Sequence, residues 1–249
     1  MARHRLICGD VLEVLPTIGQ RFDVAICDPP DNLGLKYDGF DDNQTHYTDW
    51  LEVLIYELCI RADIVWVSYN AKHTFDVGGI IQYILRVFPD YEAKPFVQTF
   101  TFGQNNNQDC GNGHRPIVRL KHKEARLYPD QIRVPSWRQE NGDKRACPDG
   151  RVPLDVWEFP RVTGNSRQRR AWHPTQLHED LVERMILMST PNRGTSHVLD
   201  ACSGTGTVLR AAKKLEQRAV TSIEISPAYC EKIAEEHGLS VEYPLSRAA

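Results

Sequence analysis

The feature that most constrains the fold is a strand, a glycine-containing turn, a helix and a second strand in direct succession. "SHVLDA" (196–201) and "AVTSIEI" (219–225) are apolar runs with strand character, and "GTVLRAAKKLEQ" (206–217) between them has helical spacing. Two strands joined by a helix form a βαβ unit, in which the strands run parallel. The unit predicts an α/β fold with a mostly parallel sheet and helices on both faces.

The rest of the chain repeats this alternation, and its length of 249 residues suits one such domain. An exception is the stretch from about 103 to 153, which is polar, turn-rich and without long periodicity, and which we interpret as an insertion. Further strands are predicted at 5–9, 22–27, 63–69, 96–102 and 155–160, and further helices at 45–62, 77–88, 176–189 and 226–238.

Cysteine usage and hydropathy predict a cytoplasmic protein without a membrane segment. The seven cysteines are odd in number and form no C-x-x-C pair, which is typical of a reducing compartment. No apolar run approaches the roughly 18 residues of a membrane span, and the N-terminus lacks the apolar core of a signal peptide. Cys110, His114 and Cys147 lack the paired spacing of zinc ligands, so we predict no metal.

The turn between strand and helix contains Ser203-Gly204-Thr205-Gly206, and acids end the strands on either side. Glycines allow a tight turn and close approach of a ligand. Asp200 ends the first strand, and Glu224 ends the second, where an acid can accept both hydroxyls of a ribose. The third glycine of a dinucleotide motif is missing, which favours a nucleoside cofactor with a non-phosphate tail. The alternative is a purely structural turn.

A second motif, Asp28-Pro29-Pro30-Asp31, follows the predicted strand at 22–27. Ligands of open α/β sheets bind at the carboxyl ends of the strands. The two prolines stiffen the backbone, so that the Asp28 carboxylate and a backbone carbonyl form a rigid pair of acceptors. Such a pair suits an exocyclic amino group, whose two hydrogens both need partners. Taken alone, the motif could also be a turn that ends a strand.

Four segments in this order resemble the amino-methylating DNA methyltransferases of the permuted β class. "DPPD" (28–31) resembles their Asp-Pro-Pro-Tyr motif, and "HPTQLH" (173–178) resembles a segment that precedes their cofactor strand. "LDACSGTGT" (199–207) resembles their cofactor loop, and Glu224 stands at their ribose-binding acid. The resemblance implies a Rossmann-like fold that uses S-adenosylmethionine (AdoMet), with the catalytic motif before the cofactor motif. It covers most of the chain except 103–153.

The family assigns roles to these positions. Asp28 and the Pro29 carbonyl would accept the hydrogens of the target amino group, and Pro30 and Asp31 complete the catalytic motif. The base would be flipped out of the duplex. Cofactor contacts are implied for Asp10, Asp28, His173, Pro174, Thr175, Asp200, Cys202, Ser203, Gly204, Thr205, Gly206, Thr207, Glu224 and Ile225. For Asp10, a helix cap is an equal alternative.

Asp31 departs from the family, because a tyrosine that stacks on the flipped base usually occupies this position. An aspartate cannot stack, so Tyr37 or Phe40 is a candidate for the missing ring. Asp31 could instead reach a polar edge of the base. It could also form an Asx-turn with Asn32 and Gly34.

Charge is distributed unevenly along the chain. Residues 115–170 contain 14 Lys and Arg against 7 Asp and Glu, a net +7, within a chain of net charge −3. Such a basic region is typical of a nucleic-acid partner. Candidate DNA contacts are Arg115, Arg119, Lys121, Lys123, Arg133, Arg138, Lys144, Arg145, Arg167, Arg169 and Arg170.

These observations lead to a site-specific methyltransferase that transfers a methyl group from AdoMet to N6 of adenine in double-stranded DNA. Aspartate at the first motif position favours adenine, since family members acting on cytosine-N4 more often have serine there. The cytosine-N4 activity, RNA as substrate and a catalytically silent DNA-binding protein stay as alternatives. A nucleotide-dependent oxidoreductase does not explain the Asp-Pro-Pro motif. A homodimer and a separate restriction nuclease are left open.

Overall fold

The computed structural model describes residues 3–100 and 107–244, which form nine β-strands, seven α-helices and three short 3₁₀ helices. The strands are β1 Arg5–Cys8, β2 Phe22–Cys27, β3 Ala62–Ser68, β4 Tyr91–Thr99, β5 His114–His122, β6 Val156–Glu158, β7 Ser196–Asp200, β8 Arg218–Glu224 and β9 Val241–Glu242. The helices are α1 Val11–Val14, α2 Tyr47–Arg61, α3 Thr74–Val87, α4 Trp137–Glu140, α5 Glu179–Ser189, α6 Thr207–Lys214 and α7 Pro227–His237.

All nine strands belong to one sheet, in the order β6-β4-β5-β3-β2-β7-β8-β1-β9. Strand β5 is antiparallel to both of its neighbours, and every other pair is parallel. The sheet is therefore mostly parallel, as the βαβ unit predicts.

The strand order reverses between β2 and β7, which pair in parallel from Val24↔Val198 to Ile26↔Asp200. From β2 the chain continues to β3 on one side, and from β7 it continues to β8 on the other. Such a reversal leaves a crevice at the carboxyl ends of the two strands, which is where α/β proteins bind ligands. The Asp-Pro-Pro motif follows β2 and the glycine loop follows β7, so both motifs lie at this crevice.

Two apolar layers cover the two faces of the sheet. On one face, side chains of alternate strand residues such as Val24 and Ile26 pack under helices α5, α6 and α7. On the other, Ala25 and Cys27 pack under α1, α2 and α3. Burial on both faces explains why the central strands read as continuous apolar runs.

Most predicted elements agree with the structure to within a few residues, but the region 103–153 differs. Its residues 114–122 form β5, which lies between β3 and β4 inside the sheet and is not part of an insertion. The expectation of an insertion is wrong here because three basic residues and a proline interrupt the apolar pattern by which a strand is recognised in the sequence. Residues 103–106, and 101–102 of the predicted strand 96–102, lie outside the described residues.

The longest of the helices in the described ranges, α2, has 15 residues. None of those in 3–100 and 107–244 is both long and apolar enough to cross a bilayer.

Neighbouring residues of α2 allow a test of the packing. Leu54 is fully buried, whereas Val53 is 47% exposed. We expect Leu54→Ala to lower the free energy of unfolding by about 2–5 kcal/mol, because it leaves a cavity under the sheet. Val53→Ala should change it by less than about 0.5 kcal/mol. Urea denaturation measures both values, and equal losses would contradict this packing of α2.

Candidate active site

One cavity at the carboxyl edge of the sheet collects residues from four strand ends. Its space, counted together with the solvent at its mouth, is about 930 Å³. Its walls come from the turns after β1, β2, β7 and β8. They include Asp10, Asp28, Pro29, Pro30, Asp200, Cys202, Ser203, Gly204, Thr205, Thr207, Glu224 and Ile225. The structure thus brings together residues that the sequence places far apart.

The glycine loop has a backbone that side chains would disturb. Gly204 and Gly206 have φ of 51° and 75°, in the left-handed region that favours glycine. A Cβ atom on Gly204 would lie 2.9 Å from Nε2 of His173. Glycine at 204 therefore allows His173 to close over the loop.

Glu224 ties the glycine loop to the start of α7. Its Oε2 accepts from the Gly204 amide at 2.7 Å, and its Oε1 accepts from the Ser226 amide at 2.9 Å. Burial raises the pKa of Glu224 to about 7, against the opposing effect of these amide donors. Burial likewise raises the pKa of Asp200 to about 7. Two carboxyl groups on this wall thus titrate near neutral pH.

The His-Pro-Thr segment forms the opposite wall. His173 Nδ1 lies 2.5 Å from the Thr175 carbonyl, and since a carbonyl only accepts, Nδ1 carries the hydrogen. Burial lowers the pKa of His173 to about 4, so the ring is neutral at pH 7. Thr175 Oγ1 lies 3.2 Å from the Tyr37 hydroxyl, which links this wall to the loop after the Asp-Pro-Pro motif. Gln176 lines the same cavity.

Asp10 combines the two roles that the sequence leaves open. Its side chain accepts from the Leu12 amide at 2.8 Å and so caps α1. The residue also lines the cavity.

Backbone carbonyls of the Asp28-Pro29-Pro30-Asp31 motif have different surroundings. The Pro30 carbonyl accepts from the Tyr47 hydroxyl at 2.7 Å, and the Asp31 carbonyl lies 2.9 Å from His73 Nε2. No donor among the described residues bonds to the Pro29 carbonyl. Tyr47 and His73 therefore hold the carbonyl groups of Pro30 and Asp31. The Pro29 carbonyl oxygen is left as an acceptor beside Asp28.

The Asp31 side chain forms a buried ion pair with Arg115. Arg115 Nη1 and Nη2 donate to Asp31 Oδ2 and Oδ1 at 3.0 and 2.9 Å. Nη2 also donates to Asp28 Oδ1 at 2.7 Å, and Nε donates to Ser68 Oγ at 2.7 Å. Since β5 runs against β3, its first residues reach the carboxyl edge, where Ser68 ends β3. One guanidinium therefore joins both carboxylates of the motif.

These contacts have opposing effects on protonation. Burial raises the pKa of Asp28, while the positive charge and hydrogen bond of Arg115 oppose the rise. Burial alone would lower the pKa of Arg115, but Asp28 and Asp31 outweigh it and raise that pKa, so the guanidinium stays charged.

The ion pair corrects two expectations about these residues. Arg115 is not an exposed phosphate contact, because its side chain is 18% exposed and bonded to three partners. Asp31 does not form the Asx-turn, because the amides of Asn32, Leu33 and Leu35 all donate to the carboxylate of Asp42.

Asp42 and Asp38 hold the loop that follows the motif. Asp42 is only 2% exposed and accepts the three amide hydrogens just described. Asp38 accepts from Ser226 Oγ at 2.5 Å at the start of α7. These contacts place Tyr37 and Phe40 on the cavity wall, where Trp50 contributes a third ring.

A second cavity adjoins the first and shares Asp28, Thr175, Gln176 and Leu177 with it. Its own walls include Asp31, Gln98, Arg115, Arg161 and Thr163. Asp28 and Thr175 therefore lie where two cavities meet.

The basic candidates separate into buried and accessible groups. Arg119 is 5% exposed and lies over the rings of Trp66 and Phe96, and Lys121 is 7% exposed and donates to backbone carbonyls. Their place inside the sheet layer is incompatible with the predicted phosphate contacts. Exposed candidates are Lys123, Arg133, Arg138, Lys144, Arg145 and Arg167, and half-buried ones are Arg169 and Arg170.

Sequence reasoning missed several residues of this site. Ser68 carried a usable signal, since it is a polar residue at the carboxyl end of a strand next to β2. No sequence signal points to Asp42, His73 or Tyr47, because their partners are up to 42 positions away along the chain.

The first cavity has the features that AdoMet requires. The glycine loop allows close approach of a ligand, and Glu224 places a buried carboxylate at the end of β8. Together with apolar lining residues such as Val208 and Ile225, these features suit a nucleoside with a short polar tail. Fold and cavity together define the class of AdoMet-dependent methyltransferases.

Comparison with known proteins identifies the family. A family model for N6/N4 methyltransferases, described as DNA methylase, matches residues 22–236. The chain therefore belongs to the N6/N4 family of DNA methyltransferases. It is an enzyme that uses AdoMet as its methyl donor and DNA as its substrate.

Individual relatives agree with this assignment. The chain is 31% identical to type II methyltransferase M.HpaI of Haemophilus parainfluenzae, over 93% of this chain and 73% of that protein. It is 29% identical to DNA adenine methyltransferase YhdJ of Escherichia coli strain K12, over 90% of this chain and 79% of that protein.

Solved structures show the same fold. PvuII DNA methyltransferase, described as cytosine-N4-specific, matches with a TM-score of 0.72 at 14% identity, covering 100% of this chain and 89% of that one. TTHA0409 of Thermus thermophilus, in complex with AdoMet, matches with a TM-score of 0.60 at 20% identity, covering 99% of both chains.

The glycine loop leads to a prediction about cofactor affinity. Gly204→Ala should weaken AdoMet binding, because the new methyl group displaces His173 and strains a left-handed backbone. Gly238 at the end of α7 has a similar φ of 64°, but a Cβ there meets nothing within 4 Å. Gly238→Ala is thus a matched control for backbone strain. Titration calorimetry should show a loss of about tenfold or more, equal to about 1.4 kcal/mol, for Gly204→Ala alone. Equal affinities would contradict this role of the glycine loop.

Proposed function

We propose that the protein methylates N6 of adenine at a specific site in double-stranded DNA. The observation that carries the proposal is the place of Asp28 where the cofactor cavity meets the second cavity. Aspartate at this position favours adenine over cytosine-N4 in the family. AdoMet would occupy the first cavity and the flipped base the second.

Residues of this chain would position the amino group. The Asp28 carboxylate and the Pro29 carbonyl would accept one hydrogen each, which directs the nitrogen lone pair at the cofactor. Two fixed acceptors of this kind also stabilise the positive charge that develops on the nitrogen. When bound, AdoMet would supply an electrophilic methyl group, for which the nitrogen lone pair would form the new bond while the sulfur would keep the electron pair of the old one. The nitrogen would then lose one hydrogen as a proton, which Asp28 would take because its carboxylate already accepts a hydrogen bond from that amino group.

Cofactor roles follow from the first cavity. Glu224 would accept the ribose hydroxyls, and Ile225 would pack on the adenine ring. Asp10 would bond to that ring. The methionine part would be contacted by Asp200, Cys202, Ser203, Gly204, Thr205 and Thr207 and closed in by His173 and Thr175, all of which line this cavity. Gly206 and Pro174 do not line it, and Pro174 lines the second cavity, so these two would act through the backbone of their segments.

The stacking ring and the DNA surface remain as proposals with structural support. Tyr37 or Phe40 would stack on the base from the wall of the first cavity, where the Tyr37 hydroxyl lies 3.2 Å from Oγ1 of Thr175, a residue that lines both cavities. The exposed basic candidates, with Trp137 at 72% exposure, would bind the duplex from residues 123–153 and 167–170. We further propose a cytoplasmic location. A homodimer and a partner nuclease stay as hypotheses from the sequence.

Asp28→Ala should abolish methyl transfer and leave AdoMet affinity almost unchanged, because it removes the acceptor for the amino group. Modified-base sequencing of DNA from cells that express each form tests this. We expect N6-methyladenine at one recurring sequence with the original protein and background with the variant. N4-methylcytosine would overturn the choice of base, and modification by the variant would overturn the role of Asp28.

Cofactor affinity should depend on pH through Glu224. Burial raises the pKa of this group to about 7, so the carboxylate is charged above pH 7 and protonated below it. A charged carboxylate is the better acceptor for ribose hydroxyls. AdoMet affinity should therefore fall as pH decreases from 8 to 6. Glu224→Gln should bind weakly with a flatter pH profile, in which the slope that is left comes from Asp200, whose pKa is also raised to about 7. A variant that keeps the original profile would contradict the ribose role.

A further inference from the structure

Asp31 is the residue at which this chain departs from the family motif, and its side chain faces Arg115. Arg115 is the one cation that bonds to Asp28 within the described part of the chain. An ion pair at this place lies beside the reacting atoms of the proposed reaction. Its consequences for Asp28 follow from charge and geometry.

Charge is the first consideration. Asp28, Asp31 and Arg115 together carry a net −1 when both carboxyl groups are ionised. Without the charge of Asp31, Arg115 would neutralise Asp28 in a buried ion pair. A neutral pair would stabilise the developing positive charge on the amino nitrogen far less than a net anion does.

The geometry of the hydrogen bonds also indicates that Asp31 keeps Arg115 from pairing fully with Asp28. Arg115 uses its forked Nη1 and Nη2 atoms on Asp31 and only one further hydrogen of Nη2 on Asp28. Arginine prefers such two-point pairing with a carboxylate. Asp31 therefore occupies the fork that would otherwise bind Asp28, while one N–H still fixes the orientation of the Asp28 carboxylate.

The surroundings support a role beyond holding the loop. The backbone of the motif already has its own supports, Tyr47 at Pro30 and His73 at Asp31. The two acidic side chains and Arg115 are not needed for those contacts. Arg115 in turn is held by Ser68 at the end of β3.

We propose that Asp31 and Arg115 are a coupled pair of positioning residues, in which Asp31 is the counter-ion that keeps Arg115 from neutralising Asp28. Arg115 orients the Asp28 carboxylate, and Asp31 preserves the net negative charge at the amino group. The inference rests on the proposed methyl transfer at Asp28.

Opposite shifts in pH dependence distinguish this role from a structural one. Asp31 raises the pKa of Asp28 and Arg115 lowers it, although burial is the largest cause of the net rise. Removing the charge of Asp31 should move the acidic limb of the rate profile to lower pH, and removing Arg115 should move it to higher pH. The other titratable groups around the cluster are Asp200 from β7, Tyr37 from the loop, Tyr47 from α2, His73 from the 3₁₀ turn, and Cys27 and Cys202.

The experiment compares Asp31→Asn, Arg115→Gln and the double variant as full-length proteins. Initial rates are measured from pH 5.5 to 9 with radiolabelled AdoMet and bulk unmethylated bacterial DNA, both at saturation. Glu242→Gln is the matched control, because Glu242 accepts a forked pair from Arg5 far from the site. Melting temperature and AdoMet affinity are measured for each protein.

We expect Asp31→Asn to lower the rate at pH 7.5 by about tenfold or more, equal to about 1.4 kcal/mol of barrier, with unchanged AdoMet affinity. Arg115→Gln should lose a similar factor at pH 7.5 and recover part of it at pH 9. The double variant should be faster than Asp31→Asn, because no cation then competes for Asp28. Glu242→Gln should match the original protein.

The inference would be overturned if Asp31→Asn and Arg115→Gln moved the acidic limb of the rate profile in the same direction. It would also be overturned if the loss of rate in the double variant equalled the two single losses combined. If Asp31→Asn or Arg115→Gln does not fold, Asp31→Glu and Arg115→Lys replace them. Both keep the charges, so both should retain the original acidic limb, and a shifted limb would be contrary evidence. An original protein without methyl transfer would instead refute the proposed function.

Discussion

The parallel pairing of β2 with β7 is the constraint on which the site depends. The two strands come from opposite ends of the chain, yet their register brings Asp200 beside Ile26, two residues before Asp28. A slip of one residue would exchange the two faces of the sheet to which the β2 side chains point, and would shift Asp28 relative to the end of β7, since side chains alternate between faces. The apolar layers of both faces maintain this register because central strand residues are buried on each side. Fold stability and catalytic geometry therefore rest on the same pairing.

Sequence patterns predicted the elements well where local signals are strong. The glycine loop, the acids at strand ends and the amphipathic helices are defined by neighbouring residues, and their predicted bounds agree closely with the structure. Strand β5 was missed, because Arg115, Arg119 and Lys121 give it the composition of an exposed segment. Arg119 packs on rings of β3 and β4, and Arg115 pairs with carboxylates of the turn after β2. No local pattern around β5 contains that information.

The same reason explains the limits of the predicted site. The cofactor wall consists of motif residues, so the sequence could assemble it from the family resemblance. The supports of the Asp-Pro-Pro motif come from outside any motif: Tyr47 from α2, His73 from a 3₁₀ turn and Asp42 from the loop. Their partners are 7 to 42 positions away along the chain. Contacts of this kind become visible only when the fold brings them together.

Asp31 stands where the family usually has a tyrosine, and this replacement removes a ring and adds a carboxylate at the same position. The ring that the family has at this position is absent, and the loop from Asn32 to Asp42 brings two other rings, Tyr37 and Phe40, to the wall of the first cavity. The new carboxylate needs a partner, and β5 supplies Arg115 at the carboxyl edge because it runs antiparallel to β3. A tyrosine at position 31 would leave Arg115 with Asp28 as its sole acidic partner among the described residues. Asp31 and Arg115 are therefore interdependent, and a change toward the family motif at position 31 alone would alter the partners of Arg115 and so the contact that it makes with Asp28.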